Sequence, residues 1–89
     1  MKEVFLYSIY DVKAGHYDVP FFTSSDLFAY RVFTIRMSED KTFLNRFPED
    51  FVLKRIGAFD VETGCVVSDI AQVVRGAEVA KKVLGGDVK

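Results

Sequence analysis

The stretch Pro48-Glu49-Asp50-Phe51-Val52-Leu53-Lys54-Arg55-Ile56-Gly57-Ala58-Phe59-Asp60-Val61-Glu62-Thr63-Gly64-Cys65-Val66-Val67 decides the fold, because it carries the clearest local instruction in the chain. Pro48 biases Phe47 away from helix, and Glu49 and Asp50 are turn formers. The residues from Phe51 to Phe59 are rich in β-formers and run into a loop that ends in Gly. Strict alternation puts Phe51, Leu53, Gly57 and Phe59 on one face and Val52, Lys54 and Ala58 on the other. Arg55 and Ile56 then point the wrong ways, which predicts a bulge or a strand end near Gly57. Asp60 at the start of the loop suits an Asx-turn, and Gly64 at its end tolerates positive φ. The stretch therefore reads as a β-hairpin in which Phe51 to Phe59 pairs antiparallel with Cys65 to Ser68.

Upstream, Val4 to Tyr10 is apolar on both faces and suits a central strand. Asp11 to Asp18 is a polar, Gly-containing connection into a second strand, Val19-Pro20-Phe21-Phe22, which Pro20 confines to an edge because it has no N–H for the ladder. Thr23 to Asp26 is a cluster of helix-capping residues, so Ser25 to Met37 reads as a helix. Its sheet-facing stripe is Ala29, Val32, Phe33 and Arg36, widened by Phe28 and Ile35. The β-branched run from Val32 to Ile35 also suits a strand.

Downstream, Ser68 to Arg75 fits helix and strand equally well. Gly76 interrupts any helix through it at a cost of ~1 kcal/mol relative to Ala. Ala77 to Leu84 is helical by propensity, with Gly85-Gly86 as a stop, so residues 77–89 read as a short helix with a frayed tail. The order of elements predicts one α+β domain over residues 1–89. It is a small antiparallel sheet of two hairpins, with one main helix packed on it and a short C-terminal helix.

The apolar fraction of 49%, with nine Phe and four Tyr, is that of a folded chain. At this length a monomer buries only about 60% of its unfolded surface, and thirteen aromatics then predict an apolar patch and a two-fold homodimer. Twelve Lys and Arg against thirteen Asp and Glu give a formal net charge of −1, so any attraction to nucleic acid must come from a local patch. Cys65 is the sole cysteine, which excludes an internal disulfide and a thiolate metal cluster and fits a reducing cytoplasm. No apolar run approaches the ~20 residues of a membrane span.

No constellation here points to catalysis. His16 is the only histidine and lies in a connection, where a solvated side chain is the ordinary reading. Cys65 reads as a small, half-buried strand residue. Asp11, Asp50 and Asp60 each sit where a turn uses an Asx side chain, and the glycines lack phosphate-loop spacing. The expectation is a protein that is not an enzyme and needs no cofactor or metal.

A binding reading is less easily dismissed than catalysis, because exposed aromatics beside cations hold single-stranded nucleic acid by stacking on bases and meeting phosphates. The candidates are Tyr7, Tyr10 and Tyr17 with Lys13, Lys54, Arg55, Arg31 and Arg36, the densest patch joining Lys54 and Arg55 with Arg31 or Arg36. The competing reading puts the tyrosines in the core or a dimer interface and leaves the cations solvated, and composition alone favours it.

Several motifs in fixed order carry a resemblance. Tyr7-Ser8-Ile9-Tyr10-Asp11-Val12-Lys13-Ala14 is followed by Pro20-Phe21-Phe22, by Ala29 with Arg31 and Phe33, and by Pro48-Glu49-Asp50-Phe51 with Leu53. Ile56-Gly57-Ala58-Phe59-Asp60 with Thr63-Gly64 closes the series, and Gly76-Ala77-Glu78 is a weaker echo. Together they resemble the small nonstructural protein of the gokushoviruses, single-stranded DNA bacteriophages of the Microviridae. The resemblance implies a protein made in the host bacterial cytoplasm and absent from the mature virion. It also implies binding to viral single-stranded DNA during genome replication or the switch to single-strand synthesis and packaging. The alternative is a homodimeric, non-enzymatic interaction protein that binds a viral replication or assembly protein.

Overall fold

The structure, a computed structural model, describes residues 3–83. The expected Gly85-Gly86 stop and the tail beyond it lie outside the described residues. Within them the chain is α+β. One antiparallel sheet is built from β1 (Glu3–Asp11), β2 (His16–Tyr17), β3 (Phe21–Thr23), β4 (Phe51–Asp60) and β5 (Val66–Arg75), and α1 (Asp26–Met37), α2 (Phe43–Arg46) and α3 (Gly76–Val83) complete the fold. The strand order is β2-β1-β4-β5, with β3 also pairing β1.

The decisive hairpin forms as its turn chemistry predicts. Asp60 Oδ1 accepts the Glu62 N–H at 2.9 Å, the Gly64 N–H donates to the Asp60 carbonyl at 2.8 Å, and Gly64 takes φ 79°. The irregularity near Gly57 is a bulge. Leu6 pairs Gly57 and Tyr7 pairs Arg55, which leaves Ile56 as the extra residue. Cross-strand partners share a face, so the bulge carries Gly57 and Phe59 to the side opposite Phe51 and Leu53, and the single face expected for all four is corrected.

The expected second strand Val19–Phe22 is also corrected. β2 pairs with Tyr10 and Asp11 at one end of β1, β3 pairs with Phe5 to Tyr7 further along, and Pro20 falls in the gap because its nitrogen cannot donate. Buried Ser8 spans that gap, its Oγ donating to the Asp18 carbonyl at 2.6 Å.

In α1 the Ser25 Oγ accepts the Phe28 N–H as the N-cap, and the β-branched run from Val32 to Ile35 is helical. The buried stripe is Ala29, Phe33 and Met37. Phe28 and Ile35 are exposed instead of widening it, since residues four apart share a helical line and these two lie off it. The polar stretch after Met37 contains α2, whose N-cap Thr42 takes the Asn45 N–H at 3.0 Å, while Asn45 Nδ2 donates back to the Met37 carbonyl at 2.8 Å. Tyr7, Ile9 and Leu53 of the sheet form one core with Ala29, Phe33 and Met37 of α1, Leu44 of α2 and Val79 of α3. Every helix therefore packs on the same side of the sheet. The other side carries no helix among the described residues.

Candidate nucleic-acid interface

The register assigns each strand side chain to the helix-covered or the helix-free face. Tyr10 pairs both Tyr17 and Val52, Ser8 pairs Lys54, and Lys54 pairs Gln72. These residues lie opposite the Tyr7-Ile9-Leu53 core, on the helix-free face. There the Lys54 ammonium sits 4.6 Å from the Tyr10 ring centre and 5.5 Å from that of Tyr17, and its Nζ donates to the Tyr17 hydroxyl at 3.4 Å. The two rings are 4.6 Å apart and inclined by 49°. A cation over aromatic faces is attracted by the negative charge density of the rings.

The rest of this face is apolar or neutral. Phe22 and Phe59 pack edge to face at 6.3 Å, and Leu6, Val52, Val66, Ser68 and Gln72 occupy neighbouring register positions. Arg75 pairs Val52 at the far end and lies 3.9 Å from Glu78 of α3. None of these register positions carries a carboxylate. A chain of net charge −1 thus turns outward here an aromatic surface that holds the Lys54 ammonium, with Asp18 bordering it beside Tyr17.

The other predicted site residues are placed elsewhere, and the single patch of Lys54 with Arg55 and Arg31 or Arg36 does not form. Arg55 pairs Tyr7 on the helix-covered face. Its guanidinium contacts Asp26 of α1 at 3.2 Å and the Phe5 ring at 5.3 Å. Neighbours on a strand point to opposite faces, so Lys54 and Arg55 cannot act together on one ligand. Arg36 stacks at 5.0 Å over Phe21 beside a cleft of about 330 Å3 that also takes in His16, Asp11, Asp18 and Glu39. Three carboxylates around that cleft disfavour phosphate. Arg31 is exposed on α1 and Lys13 in the turn after β1.

Tyr7 belongs to the core. Its hydroxyl donates to Asp26 Oδ1 at 2.5 Å, and its pKa is pushed up to about 12, first by burial and then by the hydrogen bond and the charge of Asp26. The folded state therefore holds this proton more tightly than the unfolded chain does. Its contribution to stability is complete below pH 10.0 and is lost as the pH rises towards about 12. Tyr7→Phe is expected to lower stability by about 1–2 kcal/mol near neutrality and to abolish the late-ionising phenolate signal in an ultraviolet pH titration. An unchanged titration would remove the burial argument.

Cys65 is exposed, not half-buried, because it precedes β5 and lies outside the paired register. His16 is exposed as expected but lies in β2. Asp11 accepts the Ala14 N–H at 3.0 Å, the Asx role expected of it. Sequence reasoning missed Gln72 and Arg75, because Ser68 to Arg75 fits a helix as well as a strand. It also missed Phe22 and Phe59 as a pair, since only the bulge at Ile56 turns Phe59 towards Phe22.

A family model described as Phage ORF5 protein matches residues 4–79, nearly the whole described chain. No curated protein sequence matches the chain. No solved structure matches it either.

Proposed function

Because the chain belongs to the Phage ORF5 protein family and is thus a bacteriophage protein, we propose that it binds its phage's single-stranded DNA on the helix-free face of the sheet. The resemblance to the gokushovirus nonstructural protein supports a role in genome replication or in the switch to single-strand synthesis and packaging. The observation that carries the reading is the Tyr10–Lys54–Tyr17 cluster. Two rings are available for base stacking, and the ammonium between them meets a phosphate, on a surface whose strand positions bear no carboxylate. Duplex DNA fits poorly, because stacked, paired bases offer no free ring faces to Tyr10 and Tyr17.

Fluorescence anisotropy with a labelled oligothymidine across a salt series tests this. Tyr17→Ala is expected to weaken binding by ~1–3 kcal/mol for one lost stack. Lys54→Ala is expected to flatten the dependence of log K on log salt by about 0.7, the value of one single-strand phosphate contact. Arg31→Ala, on the outer side of α1, is expected to leave that slope alone. If the parent protein binds no single strand at low salt, the reading fails. The alternative, a homodimeric interaction protein for a viral replication or assembly partner, then takes its place, favoured by the exposed apolar side chains Phe22, Val66 and Ile70.

A further inference from the structure

The two edges of the sheet differ in kind. The β2/β3 edge is made of a two-residue and a three-residue strand with Pro20 between them, which is how folded proteins blunt an edge. The other edge is β5, ten residues long and paired only to β4 among the described residues. It contains no Pro or Lys, and its pairing with β4 shifts register at Val73 and between Ser68 and Ala71. Its N–H and C=O groups on the open side are a template for another strand.

We infer that β5 is the dimer interface: a second copy of this chain adds its own β5 antiparallel across a two-fold axis at Ile70, making one continuous sheet. The sequence of the edge says what covers it. Val66-Val67-Ser68-Asp69-Ile70-Ala71-Gln72-Val73-Val74 has nearly the same pattern in both directions from Ile70. Antiparallel pairing about that residue sets Val67 against Val73 and Ser68 against Gln72, and places Asp69 opposite Ala71, not opposite its own copy. The match ends there, because the bulge at Val73 turns Val74 to the face opposite that of Val66. A two-fold interface requires this self-complementarity, in which residue i meets j and j meets i.

Exposure points the same way. Val66 pairs Phe59 on the helix-free face and Val67 pairs Ala58 on the other, yet they are 63% and 61% exposed, and Ile70 is 58% exposed. A partner lying on one face would cover only one of the two valines. A strand continuing the sheet flanks both. Edge pairing also leaves the Tyr10–Lys54–Tyr17 cluster uncovered, so it holds whether or not DNA binds.

Light scattering on the parent protein is expected to give the mass of two chains. Ile70→Cys in a Cys65→Ser background places two thiols opposite each other, with Cα atoms ~4.5–5.5 Å apart, within the ~4.4–6.8 Å a disulfide spans. Mild oxidation should trap a covalent dimer, while Val66→Cys in the same background, whose two thiols lie far apart on either side of the axis, should cross-link at least ~10-fold more slowly. A parent that stays monomeric at every concentration overturns the inference and leaves the edge to a strand of a different protein. A dimer in which the two cysteine variants cross-link alike also overturns it, since the copies then meet elsewhere.

Discussion

Gly76→Ala is expected to destabilise the domain by about 3 kcal/mol, the upper range for forcing atoms into a packed site. Helix propensity alone gives the opposite sign, because Ala is better than Gly by ~1 kcal/mol inside a helix. Space decides the matter. A Cβ on Gly76 would collide with the Pro48 carbonyl oxygen and stand 3.0 Å from that of Phe51, and both obstacles are backbone. α3 starts where β5 ends, so its first residue must pass against the 3-10 turn Pro48–Asp50 that launches β4. Relieving the collision undocks α3 and exposes Val79, which is 1% exposed in the fold. In urea unfolding the midpoint should fall with the slope nearly unchanged. A variant as stable as the parent, or more so, would show that α3 has room to shift.

Phe33→Ala should cost about 3–5 kcal/mol, a large share of the stability of a domain this small. The ring is fully buried between α1 and the sheet, among Tyr7, Ile9, Leu53 and Met37, where neighbours cannot collapse without moving a strand. Phe28→Ala, on the same helix, is the informative partner. It lies off the buried line at 51% exposure, and its replacement should change stability by no more than about 0.5 kcal/mol. Thermal unfolding of the pair reads out which face of α1 holds the fold. Comparable losses in the two variants would contradict this packing.

Of the fold, the local instructions were legible. Asp60 and Gly64 define their turn with atoms a few residues apart. Ser25 caps a helix that starts one residue later, and Arg55-Ile56 announces a bulge because alternation cannot accommodate both. The length of β5 was not legible. Asp69, Gln72 and the paired valines satisfy helix and strand alike, and only β4, already in place with open N–H and C=O groups, selects the strand. α2 was equally hidden, since four residues form a helix only when Leu44 has a core to enter.

The candidate site shows the same division. Sequence by itself determined that Tyr10, Lys54 and Arg55 lie on strands, and period-two geometry is enough to set Lys54 and Arg55 on opposite faces. Which side the helices cover follows from where α1 docks. Tertiary structure alone put Tyr7 and Arg55 under α1 with Asp26 and left Tyr10, Tyr17 and Lys54 on the open side. The reason is physical: a strand states its two faces in its own residues, but burial of either one depends on apolar surface supplied from a distant part of the chain.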